Sequence, residues 1–490
     1  MFEQKFAQWS ASHTASQVKS KSVSPVEVTR AAIDRIEQIN SRLNAVVFSD
    51  FEQALEQARS LEKKIMAGNE PGPLAGVPTL IKDLFSFKPG WPATLGGIRA
   101  LRDYAPDFYS TFPERVEKSG SIVLGKTNSA AMGFCGVTDN KMFGPTRNPF
   151  DLRYNSGGSS GGAAAAVASG LVPVAEASDG GGSIRIPAAW CGLIGFQPSF
   201  GTIPAIMRPN AFGATAPFLY DGPLARTVED IALTLSVLSG HDPRDPFSAA
   251  KAPDFKSALT RPIKGMRIGV TRDFGIFPVD TRIADRVQAT ARILEDAGAI
   301  VEPLDIHIPH TQKALSDLWC RMIASVSHGA ILDLAKQGID LWDQRQDELP
   351  AALKQWVNVA SGMSLEDIQA DQAMRTDVFD AFTRAFEKHD LILSPVTSCM
   401  PCRNGETGDT VGSKEIGGIP VDPRIGWAMT YLTNFTGHPA ASVPAGVIEG
   451  LPVGVQIIGK RHGDLSVLSA CAALEKINPW AETYERVLMR

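Results

Sequence analysis

Asn155-Ser156-Gly157-Gly158-Ser159-Ser160-Gly161-Gly162 and Asp179-Gly180-Gly181-Gly182-Ser183-Ile184-Arg185 are two glycine–serine clusters in one stretch of the chain, with Ser159 and Ser183 24 residues apart. Glycines packed around serines make neither a good helix nor a good strand, since each glycine costs about 0.5–1 kcal/mol of order in regular structure. That cost makes sense where main-chain N–H groups must approach a ligand closely. Two such loops, each presenting a hydroxyl, suggest a nucleophile and a proton relay beside an oxyanion hole. The chemistry is expected here.

The rest of the composition bounds the answer. The chain has 490 residues, 44% of them hydrophobic, enough for a large core. A net charge of −5 and the absence of any Lys/Arg-rich arm exclude the basic footprint of a nucleic-acid binder. The opening MFEQKFAQWSASHTASQ lacks an apolar h-region, so no secretory signal is expected. The longest uncharged stretch, 155–175, is mostly Gly, Ser and Ala rather than the Leu/Ile/Val of a membrane helix. The expectation is a cytoplasmic protein with no membrane contact. The six cysteines are too sparse and irregular for a disulfide framework. Cys399-Met400-Pro401-Cys402 has redox-motif spacing but follows an apolar run through Ser394 and Pro395 rather than opening a helix, and no further ligands suggest a metal site.

Working outward, the first 70 residues read as helical. Ser24-Pro25-Val26-Glu27 fits a capping box with proline at the first helical position, and Val28, Ala32, Ile36 and Ile39 follow at helical spacing. A short strand is expected at 45–48 and a second helix at 51–66. From Pro71 the pattern becomes short apolar runs split by glycine and proline, at 76–82, 122–124 and 171–175. Such runs read as buried strands interleaved with helices, the signature of an α/β sheet. A strand restarts at 264–270 with a helix at 282–297, residues 311–385 read as a helical insertion, and 392–395 and 453–458 supply later strands. No polar linker divides the halves, so residues 1–490 are read as one domain, with its core at 71–260.

Three chemistries compete for the glycine-rich centre. Gly120-Ser121-Ile122-Val123-Leu124-Gly125-Lys126-Thr127 matches the phosphate-binding pattern G-x-x-x-x-G-K-[ST]. Its middle residues suit a buried strand better than a loop around phosphates, and the segment before it looks helical. Gly157-Gly158-Ser159-Ser160-Gly161 satisfies the nucleophile elbow G-x-S-x-G of an α/β-hydrolase esterase, with His438 and His462 as triad histidines. The elbow needs a strand immediately before it, whereas Arg147 to Tyr154 is turn-rich. The third chemistry uses both serines and Lys82, the end of the apolar run Gly76-Val77-Pro78-Thr79-Leu80-Ile81-Lys82. A lysine desolvated there would have a lowered pKa and could act as a base.

Taken together, GVPTLIKD (76–83), IVLGKTN (122–128), TRNP with GGSSGG (146–162), GGGSIRIPAAWCGLIGFQPSFG (180–201), NFTGHPAASVPAG (434–446) and GLPVGVQIIG (450–459) resemble the amidase signature hydrolases. The resemblance covers most of the chain. It implies an α/β fold in which a central mixed β-sheet is covered by helices on both faces, with N-terminal helices and a helical insertion. Carried over by position, it implies Ser183 as nucleophile, Ser159 as a bridging serine in a cis peptide and Lys82 as base. The N–H groups of Gly180, Gly181, Gly182 and Ser183 would form the oxyanion hole. Asp179 and Arg185 would bracket that loop as a buried pair, and Ser160 would either hydrogen-bond around Ser159 or Lys82 or serve as a structural cap. The resemblance requires no metal and no organic cofactor.

Departures bear on the substrate. Many relatives carry Thr-Asp-Thr/Ile-Gly-Gly-Ser-Ile-Arg where this chain has Ser178-Asp179-Gly180-Gly181-Gly182-Ser183-Ile184-Arg185, and Lys-Pro-Thr where it has Gln197-Pro198-Ser199. The A subunit of glutamyl-tRNA amidotransferase is the alternative within the family; its signature reads Ser-Ile-Arg-Gln-Pro, whereas position 186 here is Ile. The central stretch is similar to stand-alone bacterial enzymes acting on nylon oligomers, aryl amides or carbamates (urethanes). A small-molecule amide or carbamate is therefore the expected partner, the oligomeric state being open and a homodimer plausible. Asn128, Phe134, Cys135, Trp190, Trp319 and Cys320 are the expected pocket residues.

Overall fold

In the computed structural model, which describes residues 5–488, the N-terminal signals fold as the pattern demands. The helix Pro25–Leu43 opens on Ser24, whose hydroxyl accepts from the Val26 N–H while Glu27 accepts the Ser24 N–H at 2.9 Å. The second helix is Phe51–Met66. Residues 1–4 and 489–490 of the single-domain expectation lie outside the described residues.

Strands from both halves of the chain join one sheet. In chain order they are β1 (Val46–Ser49), β2 (Pro78–Lys82), β3 (Ile122–Thr127), β4 (Val174–Asp179), β5 (Ile194–Gln197), β6 (Tyr220–Ala225), β7 (Arg267–Val270), β8 (Ile300–Pro303), β9 (Leu391–Pro395), the small hairpin β10 (Glu415–Ile416) and β11 (Ile419–Pro420), β12 (Ala440–Ile448) and β13 (Leu451–Gly459). The eleven-stranded sheet has the order β1-β3-β2-β4-β6-β5-β12-β13-β9-β7-β8. It is mixed: β2 is parallel to β3 and β4, whereas β6 is antiparallel to β4 and β5.

Alternation along the strands builds a core on each face. Leu391 and Leu393 enter one apolar cluster, which also takes Val28 and Ile231, while Ile392 enters the other with Leu315 and Phe382. The expected insertion is three helices, Gln312–Lys336, Ala351–Ser361 and Leu365–Lys388, which cover the second face.

Two expectations shift. The strand anticipated at 171–175 starts at Val174 and runs on to Asp179, carrying Glu176 and Ser178 into the sheet. Apolar content underestimates a strand whose polar residues find partners on neighbouring strands. The phosphate-loop match is β3, and its Lys126 is buried against Asp83 at 3.6 Å and donates to the Pro92 carbonyl at 2.7 Å. That segment is sheet rather than loop.

Candidate active site

Because β2 and β4 are parallel and adjacent, their C-terminal ends lie at the same edge of the sheet, where the crevices of α/β sheets form. Lys82 is the last residue of β2, and Asp179, the last of β4, leads into the loop 180–184. Lys82 is only 1% exposed. Its Nζ lies 2.8 Å from Ser159 Oγ and donates to Ser178 Oγ at 3.0 Å. Burial lowers the ammonium from 10.5 to about 7, against the opposing pull of Glu176, Asp179 and Asp221. A neutral amine is therefore within reach at ordinary pH. Ser178 then takes one amine hydrogen, which leaves the lone pair free for the Ser159 hydroxyl.

Ser159 sits in the loop before the helix Gly161–Ala168, and the Gly158–Ser159 peptide is cis. A Cβ at Gly158 would lie 2.4 Å from the Val137 carbonyl carbon, so only glycine fits beneath this turn. The Ser159 carbonyl accepts from Thr138 Oγ1 at 3.1 Å and from the Ala130 N–H at 3.3 Å. Ser160 hydrogen-bonds neither Ser159 nor Lys82, and although it stands at the N-cap of Gly161–Ala168 its side chain caps no N–H there, so both expected roles are corrected. Instead its hydroxyl exchanges hydrogen bonds with the main chain of Ser178, 3.3 Å each way. It holds the residue that holds the amine.

The loop after β4 is pinned through its carbonyls. Gly180 O accepts from Trp319 Nε1 at 2.8 Å, Gly181 O from Thr430 Oγ1 at 2.6 Å, and Gly182 O from the Ile186 N–H at 2.7 Å. A Cβ would lie 2.3 Å from Trp319 Nε1 at position 181 and 1.9 Å from Thr430 Oγ1 at position 182. These glycines are required by the residues that clamp the loop, and not only by a ligand. Asp179 turns back to accept from the Gly182 N–H at 2.6 Å and the Ile184 N–H at 3.2 Å. Of the four expected oxyanion donors, Gly182 is thus already engaged, whereas the N–H groups of Gly180, Gly181 and Ser183 have no acceptor among the described residues. The Ser183 hydroxyl, on a residue 8% exposed, has no protein partner among the described residues.

Asp179 and Arg185 form the expected pair, with both side chains fully buried. Arg185 Nε donates to Asp179 Oδ2 at 3.0 Å and Nη2 to Oδ1 at 3.1 Å. Its remaining hydrogens go to Thr430 O, Thr433 Oγ1, Gln456 Oε1 and Asn434 Oδ1. Burial would raise the Asp179 carboxyl, but Arg185, Asn434 and the Gly182 N–H together hold it below the usual carboxylate range.

Lys82, Ser159, Ser178, Gly180 and Ser183 all line a cavity of about 500 Å³. Its walls are largely apolar, including Leu84, Met132, Leu219, Trp319 and Ile323. Of the expected pocket residues, only Trp319 lines it. Asn128 instead ties together Gly144, Thr146 and Asn140. Phe134 stacks behind Trp319, with ring centroids 5.7 Å apart, and Trp190 stacks on Trp427. Cys320 is buried in the core, and Cys135 packs against it. Helical and loop spacing marked these as apolar without saying which side faced the ligand.

The sequence reading missed two acids beside Lys82. Glu176, fully buried, accepts the Lys82 main-chain N–H at 2.9 Å, and half-buried Asp221 faces Ser178 across the β4–β6 ladder. Burial raises both carboxyls; the Asp221 charge adds to the effect at Glu176 and Lys82 opposes it at Asp221. A lone glutamate in the apolar run Val172-Pro173-Val174-Ala175-Glu176 was the available signal.

The elbow reading loses its requirements. No strand precedes Ser159 directly. His438 is buried among Phe379, Phe382 and Phe386, bonds Thr436, and is pushed down to about 3 by burial and Arg461. His462 is exposed. Cys399 and Cys402 are free thiols, both pushed up by burial. Among the described residues, no helix is long and apolar enough to cross a membrane.

The chain is similar to known proteins along nearly its whole length. The family described as Amidase matches residues 27–468. A solved bacterial aryl acylamidase of the amidase signature enzymes superposes with a TM-score of 0.97 at 51% identity, over 98% of this chain and 99% of that one. The A subunit of the glutamyl-tRNA(Gln) amidotransferase of Carboxydothermus hydrogenoformans is 36% identical over 95% of this chain and 96% of its own. The acylamidase of Rhodococcus erythropolis is 34% identical over 98% of each. A family match across nine-tenths of the chain, together with acylamidase relatives covered along almost their whole length, shows that this chain belongs to the amidase signature family and is an amide-hydrolysing enzyme.

Proposed function

We propose that the protein is a stand-alone amidase that cleaves a small acyl or aryl amide through Ser183, Ser159 and Lys82, with carbamates and esters as further substrates. The observation that carries this reading is the 2.8 Å contact between Lys82 Nζ and Ser159 Oγ at a cavity that also presents the Ser183 hydroxyl. Ser183 Oγ attacks the carbonyl carbon, passing its proton to Ser159 as Ser159 passes its own to neutral Lys82. The oxyanion forms against the unpaired N–H groups of Gly180, Gly181 and Ser183. As the C–N bond breaks, the proton returns through Ser159 to the leaving amine, which leaves an acyl ester on Ser183. Water then attacks that ester by the same relay, releasing the carboxylic acid and restoring Ser183.

The apolar walls and Trp319 favour an aromatic or alkyl group on the amide. The test is hydrolysis of an aliphatic amide, an aryl anilide, a carbamate and a nylon dimer by wild type and Ser183→Ala. Turnover of any of them that disappears in Ser183→Ala supports the reading. Turnover that survives Ser183→Ala but not Ser159→Ala overturns it. The 36% identity to an amidotransferase A subunit supports a second reading, a partner-dependent component of such a complex. Folded wild type that is silent on the whole panel would favour it.

A further inference from the structure

A second pocket, of about 520 Å³, lies on the other side of the segment Thr215-Ala216, which lines both it and the catalytic cavity. Its lining includes Phe218, Arg375, Thr376, Thr436 and Arg461 and contains no carboxylate. Among the described residues, neither arginine has an acidic group within 4 Å. Arg375, from the helix Leu365–Lys388, is half-buried. It donates through Nε to Phe435 O at 2.5 Å and through Nη1 to Thr215 O at 2.6 Å, and lies 4.3 Å over the Phe218 ring. These contacts position the guanidinium but neutralise none of its charge. Arg461, just after β13, is exposed and makes no hydrogen bond or ion pair among the described residues. Thr376 Oγ1 donates to Gln372 O at 2.8 Å and Thr436 Oγ1 pairs with His438 Nδ1 at 2.8 Å, so an oxyanion here would be held by Arg375 Nη2 and the Arg461 guanidinium, two donors with no counter-charge among the described residues.

The pocket also touches the groups that hold the active-site loop. Phe218, under Arg375, donates its N–H to Asn434 O at 2.9 Å and accepts from Asn434 Nδ2 at 3.2 Å. The same Nδ2 lies 3.0 Å from Asp179 Oδ1, the atom that accepts the Gly182 N–H. We infer that the Arg375–Arg461 pocket is an effector site for a small phosphate- or carboxylate-bearing anion, coupled through Phe218 and Asn434 to the loop that carries Ser183. The coupling rests on the amidase reading above; the binding does not.

The experiment titrates inorganic phosphate, and separately malonate, into wild type, Ser183→Ala, Arg461→Ala and Arg461→Lys by calorimetry at constant ionic strength, and repeats the titration in steady-state amide hydrolysis. Expected is saturable 1:1 binding in wild type and Ser183→Ala, weakened about tenfold or more in Arg461→Ala and partly restored in Arg461→Lys. Saturating anion should change kcat/KM by about fivefold or more in wild type and leave Arg461→Ala unaffected. The anion that binds more tightly identifies the ligand as a phosphate ester or a carboxylate. Binding that is absent, or equal in Arg461→Ala, overturns the site. Arg461-dependent binding that leaves the kinetics of an active enzyme unchanged overturns the coupling.

Discussion

Asp179 accepts the main-chain N–H of Gly182 at 2.6 Å while its other face is held by Arg185, so one buried carboxylate fixes the loop from inside. The arrangement sets the loop's shape by using up one of its own donors. Removing the charge should therefore damage both fold and chemistry. Asp179→Asn leaves the Arg185 guanidinium buried without a counter-ion, a loss of about 3–5 kcal/mol. A urea unfolding curve measures it, and an unchanged midpoint would mean the pair is not the anchor described here.

The pH dependence follows from Lys82. Its folded value of about 7 means the amine is charged below and neutral above that point, so kcat/KM should rise with pH through about 7. Stability shares the sign. Between about 7 and the ordinary 10.5 the unfolded chain binds a proton that the folded chain does not, so this group's contribution rises with pH across that window. Asp221 favours the charged amine, and Asp221→Asn should shift the kinetic inflection toward acid. A pH–rate profile for both proteins reads the shift; an inflection that stays put removes Asp221 from the account.

Ser159→Ala deletes the hydroxyl that the proposed relay places between Lys82 and Ser183 while changing little volume. The expected loss is about 10²–10⁴ in kcat/KM with a nearly unchanged melting temperature. Parallel activity and thermal-shift assays check it. Retention of activity within a few-fold would exclude Ser159 from the proton path.

Trp319 both lines the cavity and donates to the Gly180 carbonyl. Trp319→Phe keeps an aromatic wall but frees that carbonyl, costing about 1 kcal/mol of stability. Because Gly180 carries one of the free N–H groups, kcat should fall more than KM rises. Steady-state kinetics on an anilide distinguishes this from a role in packing alone, which would move KM first.

Much of this was legible beforehand because local physics wrote it. The Ser24 capping box, the helix at 51–66 and the buried runs ending in Lys82 and Ile458 follow from side-chain period and turn chemistry, which depend on near neighbours. β5 and β6 were illegible, since short stretches such as Ile194–Gln197 become strands only when partners are in register. The pocket was legible only as a list of apolar residues. Trp319 faces the cavity while Cys320, its neighbour on the same helix, faces the core, and no spacing rule distinguishes them without the opposing wall.

By itself, the sequence determined the α/β alternation, the two glycine–serine loops and the lysine at a strand end, because period, propensity and backbone permissiveness are properties of short segments. The tertiary structure alone decided that Lys82 meets Ser159 and Ser178, that Glu176 and Asp221 flank it, and that Asp179 claims the Gly182 N–H. The relations of Lys82 arise only when β2 pairs with β4 and β4 with β6, which brings Lys82, Glu176, Ser178 and Asp221 to one buried edge, and the Asp179–Gly182 contact is held by Arg185, Trp319 and Thr430 from other parts of the fold.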